Sequence, residues 1–364
     1  MTSLPIRTVT VGAFKVPTDS PESDGTLEWD ATTMVVVEAE AGAETGLGYT
    51  YGDAAIAEFI RDHLIPVVSD RDVFDVPMAW NAMQHAVRNL GRPGVASMAI
   101  AAVDTALWDL KAKLLGLPLV KLFGAARESV PIYGSGGFTS YDVKRLIAQL
   151  DGWASAGIKQ VKMKVGREPE QDVSRVRAAR EALGEEVRLF VDANGAYDRK
   201  QALSQAESFG ALGVSWFEEP VSSDDLEGLS LVKDRAPAGM DVAAGEYGYD
   251  AFYFRRMLDA GSVDVLQADA TRCAGYSGFL KAAALCEARS LPLSAHTAPA
   301  LHLPVCCASA CVRHIEYFHD HSRVESLLLD GAPAPKDGAL MPDLSRTGHG
   351  LSLKRADAER YRVA

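Results

Sequence analysis

The first fifty residues alternate apolar and polar side chains in three short stretches, Arg7 to Lys15, Ala31 to Glu40 and Thr45 to Tyr51, separated by Gly, Pro, Asp and Ser. A period of two broken by turn residues predicts an antiparallel meander. The first connection, Val16 to Trp29, is long and rich in Pro, Asp, Ser and Gly. Such length is uncommon in a hairpin unless the loop has a task, so the segment reads either as a solvated, mobile loop or as a lid. As a lid, Pro17 to Glu28 would close over a bound substrate and read its distal end. From about Gly52 to Gly124 the period becomes helical, and Val95 to Leu115 carries Ala, Val, Leu and Trp at three- and four-residue spacing until Gly116 and Pro118 stop it. This predicts a packed helical layer in which Asp104 and Asp109 have no catalytic part.

Beyond about Val130 short apolar runs alternate with amphipathic helical segments. The strands expected are Val130 to Tyr133, Gln160 to Val165, Val187 to Asp192, Val214 to Glu218, Asp241 to Glu246, Val263 to Asp269, Leu291 to His296 and His314 to Phe318. Repeated βα units imply a parallel sheet, and eight strands in succession suggest a closed barrel. The stretch Tyr133-Gly-Ser-Gly-Gly lacks the lysine and spacing of a phosphate-binding loop and reads as a bend after the first barrel strand.

Charge narrows the partners. With 37 Lys and Arg against 49 Asp and Glu, the net charge is −12 and no long basic run occurs, which argues against nucleic acid. An anionic substrate would need a local reversal of sign from a metal ion or clustered lysines. No apolar run approaches the roughly 20 residues of a membrane helix, and the N-terminal residues do not resemble a secretory signal, so a cytoplasmic protein with no membrane partner is expected. All five cysteines fall in the last quarter of the chain. Even Cys307 and Cys311, four apart, read as small buried hydrophobes rather than a zinc site.

The chemistry lies at the strand ends. Lys164, Asp192, Glu218, Glu246, Asp269, His296 and Glu316 follow one another at intervals of 20 to 28 residues, about one βα unit each. A barrel would gather all seven at the mouth where such folds place their active sites. Asp192, Glu218 and Glu246 on neighbouring strands could not remain ionised together without a cation, and oxygen-only ligation favours Mg²⁺. Lys162 and Lys164, two apart on one strand, share a face; each should depress the other's pKa near a cation, making a lysine general base. Asp269 beside His296 suggests a second acid/base dyad across the mouth. Glu316 could hydrogen-bond an anionic oxygen only if protonated, which a crowd of acids would favour. His302, His314, His319, His321 and His349 lack such partners in the sequence and read as core or surface.

These residues and the motifs around them resemble the mandelate racemase/muconate lactonizing enzyme group of the enolase superfamily over essentially the whole chain. Ala99 to Lys113 followed by Leu117 to Gly124 is similar to the group's capping-domain signature. Lys162-x-Lys164, Val191-Asp-Ala-Asn, Trp216-Phe-Glu-Glu-Pro, Gly245-Glu and Asp269 with His296 are similar to its barrel motifs. The resemblance implies a modified (β/α)7β TIM-type barrel over residues 129–324. An α+β capping domain over residues 1–128 and a C-terminal segment, 325–364, that returns to the cap would complete the chain. It implies Asp192, Glu218 and Glu246 as Mg²⁺ ligands, Lys164 and His296 as bases on opposite faces, and Asp269 orienting His296. Lys162, Asn194, Glu316, Tyr51 and Trp29 would contact the substrate, with Lys162 and Glu316 at its carboxylate. The Lys-x-Lys and Asp/His combination is similar to the mandelate racemase subgroup, and Gly48-Tyr-Thr-Tyr is similar to sugar-acid enzymes, 3,6-anhydrogalactonate cycloisomerases among them.

The expected activity is Mg²⁺-dependent removal of the proton α to the carboxylate of a sugar acid, followed by dehydration. Epimerisation and cycloisomerisation share that half-reaction. A Schiff-base aldolase and a non-catalytic metal-binding barrel are the rivals from other classes, and a homo-oligomeric state is expected.

Overall fold

The computed structural model describes residues 3–364. Strands β1 (Thr8–Ser23), β2 (Glu28–Ala41) and β3 (Glu44–Tyr51) form the expected antiparallel meander. Helices α1 (Ala55–Phe59) and α2 (Ile65–Val68), joined through a π-helical turn, lead into α3 (Val76–Ala86), α4 (Val95–Leu114) and α5 (Leu119–Phe123). Helix α4 is buried along almost its whole length because it has partners on both sides. On one side β3 approaches so closely that a Cβ at Gly48 would lie 2.3 Å from the Ala102 carbonyl oxygen. On the other, Asp104 accepts hydrogen bonds from the backbone and hydroxyl of Ser277, and Trp108 donates to the same hydroxyl. Asp109 accepts from the backbone N–H groups of Leu47 and His349. Both aspartates are therefore structural, as expected. His349 differs from the sequence reading in having a carboxylate partner, its Nδ1 lying 3.4 Å from Asp109.

All eight expected barrel strands are present: β4 (Val130–Gly136), β5 (Gln160–Lys164), β6 (Arg188–Asp192), β7 (Val214–Glu218), β8 (Asp241–Ala244), β9 (Val265–Ala268), β10 (Leu293–Ala295) and β11 (Val312–Phe318). They pair in chain order, all parallel, and β11 closes on β4. Helices α6 (Val143–Ser155), α7 (Pro169–Leu183), α8 (Arg199–Gly210), α9 (Leu226–Arg235), α10 (Ala251–Asp259), α11 (Gly275–Ala288) and α12 (Pro299–Ala308) fill the seven connections, giving the (β/α)7β barrel. Tyr133, Phe190 and Trp216 fill the bottom of the barrel with aromatic packing. After α13 (His319–Leu328) the chain returns toward the cap, where Val363 and Ala364 exchange backbone hydrogen bonds with Ala13. Among the described residues no helix is long and apolar enough to cross a membrane.

Two expectations need correction. Tyr133-Gly-Ser-Gly is not a bend but the second half of β4, paired with β5 through Gly136, and the chain turns only at Gly137. Its glycines make room for α6, since a Cβ on Gly134 would strike the Trp153 ring at 2.5 Å. The connection from Val16 to Trp29 is not an irregular loop either. Pairing of β1 with β2 continues as far as Ser23 and Glu28, with one break in register between Pro17 and Glu22. A β-bulge there absorbs the residues that had suggested a loop. The hairpin tip, held by Asp24 accepting from the N–H groups of Thr26 and Leu27, rests on the barrel mouth. Thr139 donates to the carbonyls of Ser23 and Asp24, and a Cβ on Gly25 would lie 2.3 Å from the Ala193 carbonyl oxygen.

The hairpin is thus seated on the barrel mouth, and the close approach at Gly25 seats it. Gly25→Val is expected to lift the tip and open residues 17–28 to proteolysis and hydrogen exchange while the barrel amides stay protected; unchanged protection of the hairpin would show that this contact does not hold it.

Candidate active site

Register assembles the centre of the site. In the β5–β6 ladder Lys164 is paired with Asp192, and in the β6–β7 ladder Asp192 is paired with Glu218, so the three side chains leave the barrel at one level. Alternation along β5 turns Lys162 and Lys164 inward while Met163 enters the outer core. Glu246, Asp269 and His296 come from the residues just beyond β8, β9 and β10, and Glu316 from β11.

Lys162 is completely buried. Its Nζ lies 2.5 Å from Glu218 Oε1, 2.8 Å from Glu316 Oε1 and 3.3 Å from Asp192 Oδ2, above the ring of Tyr133. Lys164 Nζ lies 2.5 Å from Asp192 Oδ2. Burial disfavours both ammonium groups, but the surrounding carboxylates win, and both pKa values stand above the ordinary lysine range. The nearest neighbours of each lysine are acids, and these outweigh the other lysine; the depression expected from the sequence is for lysines beside a bound cation. Glu316 departs from expectation. Burial would raise it, yet Lys162 above all holds it down at about 2, so it is an ionised acceptor rather than a protonated donor. Its oxygens take up Lys162, the Ser135 hydroxyl and the Thr297 N–H. Glu218 is instead the acid that is pushed up, to about 8, by burial and by Asp192.

Asp192, Glu218 and Glu246 each offer a carboxylate oxygen within 4.8 Å of the other two. The buried Oε2 of Glu246 makes no hydrogen bond, although His296 Nε2 stands 3.3 Å from it. An orphaned carboxylate oxygen beside two further acids, with only oxygen donors in the set, suits a hard divalent cation. Such an ion would favour the ionised form of Glu218 and satisfy Glu246.

Across the mouth His296 Nδ1 lies 2.9 Å from Asp269 Oδ2, the expected dyad, and its Nε2 lies 3.3 Å from Glu246. Burial lowers the His296 pKa, but Glu246, the bond to Asp269 and Glu316 together raise it above the ordinary histidine value. Asp269 is correspondingly held below the usual carboxylate range by His296 despite its burial. His302, expected to lack partners, stands behind the dyad, accepting from the Ala270 N–H and bonding the Thr297 carbonyl, so it fixes the backbone on both sides.

Lys164, Glu246, Asp269, His296 and Glu316 line one cavity of about 330 Å³, roofed by the cap. Trp29 and Tyr51 form part of its wall, whereas Lys162, Asp192 and Glu218 lie beneath it. Asn194 is not part of the cavity lining; its N–H donates to Asp192 and its carbonyl accepts from Thr26 at the hairpin tip. Arg272 and His321 are among the wall residues that escaped the sequence reading. Arg272 donates to the backbone and side chain of Glu246 and lies 3.7 Å from Asp269. It sits three residues beyond Asp269, in the loop after a barrel strand, and that position was the available signal. His321, expected in the core or on the surface, stacks on Tyr51 with ring centroids 3.6 Å apart. Burial pushes it down to about 3, so it is a neutral wall group. No local pattern marks it, because the stacking partner is on the cap.

Two family models match the chain: the mandelate racemase/muconate lactonizing enzyme N-terminal domain over residues 8–124 and the enolase C-terminal domain-like model over residues 145–358. A mandelate racemase/muconate lactonizing enzyme-like protein from Rubrobacter xylanophilus, 55% identical, superposes with a TM-score of 0.96 over 98% of this chain and 99% of its own. The 3,6-anhydro-α-L-galactonate cycloisomerase of Streptomyces coelicolor is 34% identical over 96% of this chain and 97% of its own. L-talarate/galactarate dehydratase from Salmonella typhimurium, solved with Mg and L-lyxarohydroxamate, is 28% identical with a TM-score of 0.91 and covers all of this chain and 94% of its own. The barrel, the cap, the strand-end residues and these matches together show that the chain belongs to the mandelate racemase/muconate lactonizing enzyme family of the enolase superfamily.

Proposed function

We propose that the protein is a Mg²⁺-dependent acid-sugar dehydratase that begins by removing the proton α to the substrate carboxylate. The observation carrying this reading is that two proton-transfer groups, Lys164 and the His296–Asp269 dyad, line one cavity from strands set apart around the barrel, above a three-acid cluster with an orphaned oxygen. Asp192, Glu218 and Glu246 would hold Mg²⁺, which when bound supplies the positive charge that eases loss of a proton from Lys164 and steadies a developing oxyanion.

Lys164 takes the α-proton and leaves an enediolate. His296, protonated and held in orientation by Asp269, gives its proton to the departing β-hydroxyl, which leaves as water. The resulting enol then tautomerises to a 2-keto acid. Lys162 contributes fixed positive charge beneath the cavity, and Glu316 keeps it in place. The seated hairpin excludes water. The likeness to the Streptomyces coelicolor cycloisomerase favours a second reading with the same first step, in which a ring oxygen leaves in place of a hydroxyl. Mass spectrometry over a panel of mono- and diacid sugars separates the two: a product lighter by one water supports dehydration, an unchanged mass with altered retention supports cycloisomerisation, and no turnover of any acid sugar defeats both. A homo-oligomer is part of this reading, supported by exposed apolar side chains such as Met78, Leu90 and Phe252, and light scattering reads it.

Asp192→Asn, Glu218→Gln and Glu246→Gln are each expected to weaken Mg²⁺ binding in calorimetry; undiminished affinity in all three would remove the proposed site. For a substrate whose α-hydrogen faces Lys164, Lys164→Ala should abolish exchange of that hydrogen with D₂O, while His296→Asn should still exchange it yet form no product. Turnover at the parent rate in both would defeat the two-group mechanism. Asp269→Asn removes a group that raises the His296 pKa, so the imidazolium is lost at lower pH and the alkaline limb of the kcat profile should shift downward, a shift that an unrelated structural defect would not produce.

A further inference from the structure

A second cluster of ligand-type side chains lies away from the catalytic acids, where the hairpin meets the barrel. Asp19, Glu22 and His319 each present one ligand atom within 4.8 Å of the other two. Asp19 and Glu22 are three apart on β1 and in a regular strand would point to opposite faces. The bulge brings them together, since β1 uses Thr18 to Pro21 where β2 uses only Asp30. His319, the first residue of α13, completes the group, its Nε2 lying 3.1 Å from Asp19 Oδ2.

Glu22 supplies the independent sign that something is missing. Its side chain is 0% exposed. One carboxylate oxygen accepts from Trp29 Nε1 at 2.8 Å, while the other is buried with no partner. The buried Asp320 adds a like charge nearby, and together with burial pushes Glu22 up to about 8. Of the cations at hand, Arg323 pairs with Asp320 and lowers Glu22 by less than burial and Asp320 raise it, and Arg145 pairs with Asp19 through Oδ1, leaving Oδ2 facing His319. Asp19 and His319 remain partly open to solvent, at 41% and 24%, so water can complete a coordination sphere.

We propose that Asp19, Glu22 and His319 form a second divalent-cation site that pins the β1–β2 hairpin to the start of α13. One imidazole with two carboxylates selects a borderline ion such as Zn²⁺ over Mg²⁺, which prefers oxygen alone. The cation would satisfy the orphaned Glu22 oxygen and, through the Glu22–Trp29 bond, fix a wall residue of the catalytic cavity. The site shares no ligand with the catalytic cluster and stands or falls independently of the proposed reaction.

The test titrates Zn²⁺ by calorimetry into chelator-treated protein kept in saturating Mg²⁺. One equivalent should bind, and it should be lost in Asp19→Asn, Glu22→Gln and His319→Ala but retained in Glu246→Gln. X-ray absorption at the zinc edge should show a single imidazole ligand. Asp19 and His319 are partly exposed, so their variants report even if the buried Glu22→Gln fails to fold. Absence of Zn²⁺ uptake, or uptake lost in Glu246→Gln and kept in His319→Ala, would overturn the proposal, and the second result would leave the catalytic cluster as the zinc site.

Discussion

The ammonium group of Lys162 is the fixed point of this molecule. It is buried among Asp192, Glu218 and Glu316, and an ammonium group removed from water persists only if its partners are close and are themselves satisfied. Each partner has a further tie. Asp192 meets Lys164, Glu218 accepts from Trp216 Nε1, and Glu316 accepts from Ser135 and Thr297. Removing any one of them would leave a buried charge uncompensated, at a cost of roughly 3–5 kcal/mol. Strands β4, β5, β6, β7 and β11 are therefore coupled by charge at the level where the chemistry occurs, in addition to their backbone ladders.

That network holds its lysines charged because carboxylates surround them, the reverse of what two neighbouring ammonium groups alone would suggest. Four acids, Asp192, Glu218, Glu246 and Glu316, stand around two lysines. Each proton and each cation in the site therefore answers to the others. The raised pKa of Glu218 and the Glu246 oxygen that makes no hydrogen bond are two expressions of the same deficit of positive charge.

The barrel was legible in the sequence because each strand is an apolar run closed by a polar residue, and the repeat length is a property of the βα unit. The strand-end acids, lysines and histidine could be placed for the same reason. What escaped depended on contacts between distant parts of the chain. Turn-forming residues in Val16 to Trp29 gave no hint that a bulge would let pairing continue to the tip. The glycines after Tyr133 resembled a bend because nothing nearby shows that Trp153 needs the space. That Glu218 is raised while Glu316 is lowered follows from which charges crowd each carboxylate, Asp192 beside Glu218 but Lys162 and His296 beside Glu316, and composition cannot report that.

Helix α4 gives the cap and barrel a shared interior. Its Asp104 is satisfied by Ser277 on a barrel helix, its Asp109 by the cap strand β3 and by His349 near the C-terminus. Were the cap to detach while the barrel stayed folded, Asp104 and the apolar faces of α4 and α11 would lose their partners together. Partial unfolding along this boundary is thus penalised from both sides, and the two halves should melt as a single cooperative unit, with no stable intermediate in which a bare barrel survives.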